Sequence, residues 1–218
     1  MKEYLQQALK FADMLNRFRL VERMILVNGG EHRQENDVEH SYQLAMLAWY
    51  IVDSRKLDLD VDLVLRYAVV HDLVEVYAGD TYTYSADAEN IASKESREAD
   101  ALERLRQEFA EFPDLFECID RYEKKMDRES CFVYALDKIH PIINTYLDSG
   151  RRWKELDITV DVLYEDKKAK VMLSPEIEPY FSEIMRVLRE EERDLFNVAE
   201  EPDEDDWEEI KSRMTKTS

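Results

Sequence analysis

Residues 63–78 read LVLRYAVVHDLVEVYA, an apolar segment interrupted only by Arg66, His71, Asp72 and Glu75. The pattern, with Gly79 as a stop signal, predicts a buried helix over residues 60–78. A charge inside such a helix costs several kcal/mol unless it is paired or binds a metal ion. Because Glu75 follows His71 by four residues and Asp72 by three, all three side chains can share one side of the helix.

A second apolar segment, LAMLAWYIV at residues 44–52, predicts the central helix of the protein, buried on all sides. Asn36 or Asp37 can cap this helix, and Glu39 occupies the capping-box position. The helix is expected to run to about Ser54.

The rest of the chain also reads as helical, and we predict an all-α fold. Only 4 glycines are present, whereas about 15 would be usual at about 7%. A single domain is expected over residues 1–199, followed by an acidic and disordered tail over 200–218 that contains EEPDEDDWEE. A polar loop is expected at 31–35 and another at 80–88. Further helices are predicted at 3–27, 89–112, 114–125, 130–147, within 150–174 (one or two), and at 175–197.

The charge of the chain limits its partners. With 50 acids against 30 bases, the net charge is −20, which disfavours nucleic-acid polymers and anionic membranes. Cys118 and Cys131 form no CxxC pair, as in proteins of a reducing cytosol. The first residues carry charges where a signal peptide needs an apolar core. The longest uncharged run, residues 41–52, is too short to span a bilayer. A cytoplasmic location is therefore expected.

A candidate metal site emerges from three predicted core helices. His40 opens the central helix within ENDVEHS, and Asp137 interrupts the apolar run CFVYALDKIHPII. With His71 and Asp72 they offer two imidazoles and two carboxylates, a set that suits Mn, Co, Fe, Ni, Zn or Mg. Glu75, one turn from these ligands, is a candidate general acid or base. The other two histidines, His32 and His140, are interpreted as non-ligands.

The order of these residues resembles a known signature. His40, His71-Asp72 and Asp137 resemble the H…HD…D pattern of the HD-domain metal-dependent phosphohydrolases. The contexts ENDVEHS and HDLVEVYAGD resemble the branch of 5′-deoxynucleotidases, which cleave deoxyribonucleoside 5′-monophosphates. The similarity covers about residues 10–200. It implies an HD-domain helical bundle with a metal site between core helices, and it favours a homodimer, in which helices after residue 89 could cover an open surface.

The resemblance also implies roles for single residues. Glu75 and Asp72 would act in catalysis, Asp72 by orienting the attacking water. Arg23, on the first predicted helix, would contact the substrate, as would Asp80 near the leaving oxygen. Family members often place an aromatic residue directly after this arginine, where it helps exclude a ribose 2′-hydroxyl. This chain has methionine there, so the sequence leaves the choice of sugar open. The residues with an implied metal or substrate contact are His40, His71, Asp72 and Asp137 for the metal, and Arg23, Asp80 and Asp137 for the substrate.

Three functions are compatible with these features. The leading hypothesis is a metal-dependent phosphomonoesterase that converts (deoxy)nucleoside 5′-monophosphates to nucleoside and inorganic phosphate. The second is an HD hydrolase of another phosphoester, such as a nucleoside triphosphate or a guanosine alarmone. Few lysines or arginines lie near the motifs in sequence, which argues against several phosphates. The third is a non-catalytic, nucleotide-sensing HD protein.

Overall fold

Helices form most of the chain in the computed structural model, which describes residues 1–29, 32–80 and 93–197. The expected acidic tail and most of the expected loop after Asp80 lie outside these ranges. The elements of the described ranges are α1 (Glu3–Phe18), β1 (Glu22–Leu26), β2 (Gln34–Asn36), α2 (Asp37–Arg55), α3 (Val61–Val70), α4 (Glu75–Ala78), α5 (Lys94–Glu108), α6 (Pro113–Glu123), α7 (Arg128–Leu147), α8 (Arg151–Glu155), α9 (Val160–Val171), α10 (Glu178–Glu190) and α11 (Glu192–Leu195).

The first predicted helix is too long. α1 ends at Phe18, and the chain then forms strand β1 instead of continuing to residue 27. β1 pairs antiparallel with β2, with Glu22 opposite Asn36 and Leu26 opposite Gln34. This pairing satisfies backbone N–H and C=O groups of both strands. Two strand residues therefore lie where a polar loop was expected, at positions 34 and 35.

Helix α2 begins as predicted. The Asn36 side chain accepts hydrogen bonds from the backbone N–H groups of Val38 and Glu39, and the Glu39 carboxylate accepts one from Asn36 N–H, which completes the capping box. The prediction that α2 is buried on all sides is wrong, because Trp49 is 49% exposed and Tyr50 68% exposed. Only one face of α2 packs into the core, and an apolar sequence does not show which face that is.

The predicted helix 60–78 is broken. α3 begins after the cap Asp60 and ends at Val70, and the next four residues form tight turns. Their hydrogen bonds join residues three apart, such as Leu73 N–H to Val70 O at 3.1 Å. α4 then forms one turn that Gly79 ends with a φ of 73°, which favours glycine. His71 and Asp72 thus project from a turn instead of a helix face.

Helix α7 supplies the other wall of the site. Asp127 caps it by accepting from Ser130 N–H, and Pro141 lies inside it. The predicted helices around it are confirmed in outline: α6 begins at Pro113, and residues 150–174 contain two short helices. The last predicted helix begins later than expected, at Glu178, and is divided into α10 and α11.

The core lies where α2, α3 and α7 meet. Each contributes side chains with no exposed surface, such as Leu44, Val64 and Leu136. Burying one such side chain contributes about 1.5–3 kcal/mol, so contacts of this kind hold together the three helices that position the candidate site. No helix within the described ranges has the length and apolar character needed to cross a membrane.

Candidate metal centre

The four predicted metal ligands meet in the core. His40 lies in the first turn of α2, His71 and Asp72 follow α3, and Asp137 lies in the middle of α7. One ligand atom from each lies within 4.8 Å of the others. His40, His71 and Asp137 are buried, and Asp72 is partly buried. Three separate elements therefore converge on one point, as the sequence predicts.

The spacing of these atoms suits a small divalent ion. His40 Nε2 lies 2.9 Å from Asp137 Oδ1 and 4.0 Å from Asp72 Oδ2. His71 Nε2 lies 2.9 Å from Asp72 Oδ2 and 3.6 Å from Asp137 Oδ1. Around an ion with bonds of about 2.1 Å, ligand atoms lie about 3.0 Å apart at 90° and about 4.2 Å apart when opposite. The four donors fit an ion at their centre.

The hydrogen bonds behind the histidines aim them at this point. His71 Nδ1 donates to the carbonyl oxygen of Ala68 at 3.0 Å, which leaves Nε2 as the nitrogen with a lone pair. Within the described residues, His71 Nε2 is buried and has no hydrogen-bond partner of acceptable geometry. His40 Nδ1 lies 3.2 Å from His140 Nδ1 and 3.6 Å from Glu35 Oε2, so His40 also turns Nε2 toward the centre.

Charge pairing keeps the carboxylates ionised without a metal. Burial alone would lower the pKa of His71, but Asp72 and Asp137 raise it to about 10. Burial would raise the pKa of Asp72, yet His71 and Arg23 hold it well below its usual value. Burial also opposes ionisation of Asp137, and Lys138 and His40 lower its pKa. A bound cation would replace the His71 proton as the partner of these carboxylates.

Arg23 lies at the edge of the cluster, on strand β1 and not on the first helix as expected. Its Nη1 donates to Asp72 Oδ2 at 2.6 Å and to Asp37 Oδ1 at 3.1 Å. Its Nε also lies 3.9 Å from Glu35 Oε2. Arg23 is thus held beside the candidate metal ligands by hydrogen bonds to two carboxylates and by a longer ion pair with a third.

Glu75 is a buried carboxyl whose Oε2 has no hydrogen-bond partner within the described residues. Burial and the charges of Asp72 and Asp80 raise its pKa well above its usual value. Such a group keeps its proton to higher pH, which suits a proton donor. Asp80 also lines the cavity described next.

A cavity, the Trp153 cavity, adjoins the metal centre and has a volume of about 120 Å³. Asp137 and Arg23 form the end toward the metal ligands. Met24 lies next to Arg23, and its sulfur is 3.6 Å from an Arg152 nitrogen. A cavity of about 150 Å³ binds benzene, so this one suits a single ring. The remaining walls are Ile25, Asp80, Lys138, Pro141, Ile142, Thr145, Arg152, Trp153, Ile158, Leu163 and Lys167.

A second recess, the lysine cleft, adjoins the same centre and has a volume of about 310 Å³. His71, Asp72, Glu75 and Asp137 line one end of it. The expectation that few basic residues lie near the motifs is wrong in space, because the fold brings them from distant parts of the sequence. The lysines that line it are Lys94, Lys125, Lys138, Lys167 and Lys170.

Sequence reasoning missed three residues beside the site. Asp37 is fully buried, and burial together with Asp72 raises its pKa to about 6. Glu35 and His140 are buried behind His40. His140 lies one turn after Asp137, and Glu35 and Asp37 lie in the motif ENDVEHS. The available signal was a charged or imidazole side chain next to a predicted ligand.

Relatives among characterised sequences share part of this chain. The human 5′-deoxynucleotidase HDDC2 (Homo sapiens) is 32% identical over 139 residues, which is 62% of this chain and 65% of that protein. The mouse protein of the same name (Mus musculus) is 30% identical, with 62% and 66% covered. The chain therefore matches just under two thirds of the length of these curated relatives.

Solved structures share the fold. A predicted metal-dependent phosphohydrolase from Magnetospirillum magnetotacticum aligns with a TM-score of 0.72 at 23% identity, over 85% of this chain and 95% of that one. A conserved hypothetical protein from Pyrococcus furiosus aligns with a TM-score of 0.56 at 23% identity, over 82% and 99%. At this identity the likeness establishes the fold alone. A family model described as HD domain matches residues 15–178, which is most of the chain, and the chain belongs to the HD-domain family.

Proposed function

We propose that this protein is a metal-dependent phosphomonoesterase that hydrolyses (deoxy)nucleoside 5′-monophosphates to nucleoside and inorganic phosphate. The observation that carries the proposal is the cluster of four ligand atoms within 4.8 Å, placed where a ring-sized cavity begins. The match to 5′-deoxynucleotidase HDDC2 supports the substrate class. We also propose that residues 1–199 form a single domain.

In this proposal His40, His71, Asp72 and Asp137 hold one divalent cation. The convergent, buried nitrogens and carboxylates fit such an ion, and its identity is open among Mn, Co, Fe, Ni, Zn and Mg. When bound, the ion supplies Lewis-acid chemistry, namely charge compensation for a phosphoryl group and a lower pKa for water. Asp137 also lines the Trp153 cavity, so it would contact both the ion and the substrate.

The chain's own side chains would divide the remaining work. Arg23 compensates the charge of the phosphate, since it lines the cavity and reaches Asp72. Asp72 orients the attacking water through its carboxylate. Glu75, with its raised pKa, gives a proton to the leaving 5′-oxygen. Asp80, whose charge acts on both Glu75 and Arg23, holds the sugar end near this oxygen.

The base of the nucleoside would occupy the Trp153 cavity, with the sugar at the Arg23 and Met24 end. Its walls combine apolar side chains such as Ile142 and Trp153 with Thr145 Oγ1, a buried atom that has no hydrogen-bond partner among the described residues. A nucleoside offers an apolar ring face together with polar edges, so it matches both kinds of wall. Met24 would lie beside the sugar, because it follows Arg23 and lines the same cavity.

We also propose a homodimer. Helices after residue 89 bury their apolar faces in the chain's own core, as Phe181 and Leu188 of α10 illustrate. α2 instead leaves Tyr42, Trp49 and Tyr50 exposed, and these residues lie in the uncharged run 41–52. A second acidic copy would meet least repulsion there. Sedimentation should detect a dimer that Trp49→Glu converts to a monomer; a wild-type monomer would contradict this part.

The cellular setting is proposed on simpler grounds. Cys118 and Cys131 are free thiols, which fits a cytoplasmic protein. The net charge of −20 opposes binding of nucleic-acid polymers and of anionic membranes. The expected partner is therefore a single small nucleotide.

The test is a phosphate-release panel of ribo- and deoxyribonucleotides, run with each candidate metal. We expect inorganic phosphate from 5′-monophosphates with at least one of these ions. Products longer than inorganic phosphate would identify the alternative phosphoester hydrolase. Thermal stabilisation by nucleotides without turnover under any metal would identify a nucleotide-sensing protein. Either of these two results would contradict the proposal.

A further inference from the structure

The lysine cleft is an unusual feature for this chain. Five lysines from four regions line it, although the whole chain has a net charge of −20. Lys94 comes from α5, Lys125 follows α6, and Lys138 lies on α7, while α9 contributes Lys167 and Lys170. Apart from the two on α9, these lysines lie far apart in sequence, so their convergence is a product of the fold.

The cleft is continuous with the candidate metal centre. His71 and Asp137 line it directly. Lys138 Nζ lies 2.6 Å from Asp137 Oδ2, while the other oxygen of that carboxylate faces His40. An anion held at the centre would therefore lie within reach of the Lys138 ammonium group.

Among the described residues, the other four lysines of the cleft differ in their ion pairs. Lys167 and Lys170 share one carboxylate, Asp166, each at 2.6 Å. Lys94 lies 3.4 Å from Glu98. Lys125 forms no ion pair within the described part of the chain; its Nζ donates to the backbone oxygen of Glu123 and lies 4.2 Å from the centre of a tyrosine ring.

The five lysines of the cleft are matched in its lining by five carboxylates, and two of these, Asp72 and Asp137, are candidate metal ligands. With a divalent cation on those two, the five lysines face four other carboxylates among the described residues, so the metal-loaded cleft carries a net positive charge. These four are Glu75, Glu98, Glu123 and, from outside the lining, Asp166. Ammonium groups bind phosphoryl oxygens as point charges, without the fixed geometry of arginine. Lys94, Lys125 and Lys170 line the cleft but not the Trp153 cavity, so they lie outside the recess proposed for the nucleoside.

We propose that the lysine cleft is an anion subsite for a second phosphoryl group, adjacent to the one held at the metal centre. Its ligands are anions with two linked phosphoryl groups, such as a nucleoside diphosphate or inorganic pyrophosphate. The proposal rests on the proposed function for the position of the first phosphoryl group. It concerns binding, and it holds whether or not the second group is cleaved.

Calorimetric titration of the manganese-loaded protein with inorganic pyrophosphate tests this, with free manganese matched in the blank. The variant is Lys125→Gln with Lys170→Gln. We expect its dissociation constant to be at least about 10-fold higher, because two charge-assisted contacts are lost. Lys168→Gln is the matched control, since it lies on the same helix outside the cleft; its change should stay below about 2-fold.

Two further titrations separate the second phosphoryl group from free phosphate, and lost charge from lost folding. Orthophosphate should bind the wild type and the glutamine variant within about 3-fold, since it occupies only the metal centre. Replacement of the same two lysines by arginine should retain pyrophosphate affinity, because the charge is kept. An unchanged pyrophosphate constant in the glutamine variant would overturn the proposal. Equal weakening of orthophosphate would also overturn it, because free phosphate would then be the occupant.

The outcome is separable from that of the proposed function. Lysine-dependent pyrophosphate binding without turnover of any monophosphate would support this subsite and contradict the phosphomonoesterase. Turnover of monophosphates together with pyrophosphate binding that does not depend on the lysines would support the phosphomonoesterase and contradict this subsite.

Discussion

The Trp153 cavity and the lysine cleft share Asp137, Lys138 and Lys167, yet their chemistry differs. Half of the residues that line the cavity are apolar. The cleft is larger and lined mainly by charged side chains. The difference indicates how a chain with a net charge of −20 can receive a nucleotide: one recess suits a ring, the other suits phosphoryl oxygens, and the metal ligands lie between these two environments.

The largest expected effect comes from removing the element that both recesses share. His71→Ala should lower metal affinity by more than about 100-fold, because even residues behind a ligand are worth 10–100-fold. Turnover should be lost together with the metal. Metal content and phosphate release are measured on the same sample. His32→Ala is the control, because His32 is 78% exposed and is not one of the clustered ligands; a His71 variant with full metal content would contradict the ligand assignment.

Glu75→Gln should have the next largest effect and should leave both recesses intact. We expect turnover to fall about 10²–10⁴-fold, the usual loss for a general acid, at unchanged metal content. Because the carboxyl has a raised pKa, wild-type turnover should fall as pH rises through that pKa, and the variant should lack this limb. The pH profiles of both proteins provide the measurement. An unchanged limb in the variant would remove Glu75 from the mechanism, and Glu117→Gln is an exposed control.

Met24→Trp should alter only the Trp153 cavity. A larger ring beside Arg23 takes up the space of a ribose 2′-hydroxyl, and overpacking of this kind costs about 1–3 kcal/mol for the larger substrate. We expect the preference for deoxyribonucleotides over ribonucleotides to rise about 10-fold, measured as the ratio of kcat/KM. Pyrophosphate affinity should not change. Equal effects on both sugars would place the sugar elsewhere.

Asp127→Ala should lower the free energy of unfolding, because it removes the cap of α7. This helix contributes residues to both recesses. Asp127 caps this helix and accepts from Tyr67 and Arg121. Loss of a cap costs about 1–2 kcal/mol in the free energy of unfolding. Chemical denaturation at pH 7 measures it, with the exposed Asp53→Ala as control. A loss no larger than that of the control would contradict the role of the cap.

The pH dependence of this loss has a defined sign. Burial opposes ionisation of Asp127, but hydrogen bonds from Tyr67 and Ser130 outweigh it and lower the pKa. A lowered pKa in the folded protein stabilises it above the usual value of about 4. The stabilisation is lost as pH falls through the lowered pKa. The difference between wild type and Asp127→Ala should therefore shrink in acid.

Local signals in the sequence predicted much of the architecture. The capping box at Asn36 and Glu39 and the stop at Gly79 depend on neighbouring residues, and the structure confirms both. The H…HD…D order anticipated the meeting of the four candidate ligands. That prediction came from the family resemblance, because the sequence spacing of residues 40, 71 and 137 does not by itself indicate that they are close in space.

The remaining features depend on contacts between distant residues. β1 forms because it pairs with β2, although its residues continue the helical pattern of α1. The exposed face of α2 and the five lysines of the cleft are set by packing between helices. Glu35, Asp37 and His140 adjoin predicted ligands in sequence, but their burial behind His40 and Arg23 is visible only in three dimensions.

The central claim is that one divalent cation, held by His40, His71, Asp72 and Asp137, is required for hydrolysis of a nucleoside 5′-monophosphate. The most direct measurement removes metal with a chelator and restores manganese stepwise, while metal content and phosphate release are followed in the same samples. We expect phosphate release to disappear with the metal and to return in proportion to occupancy, up to one ion per chain. Full phosphate release from the metal-free protein would contradict the account.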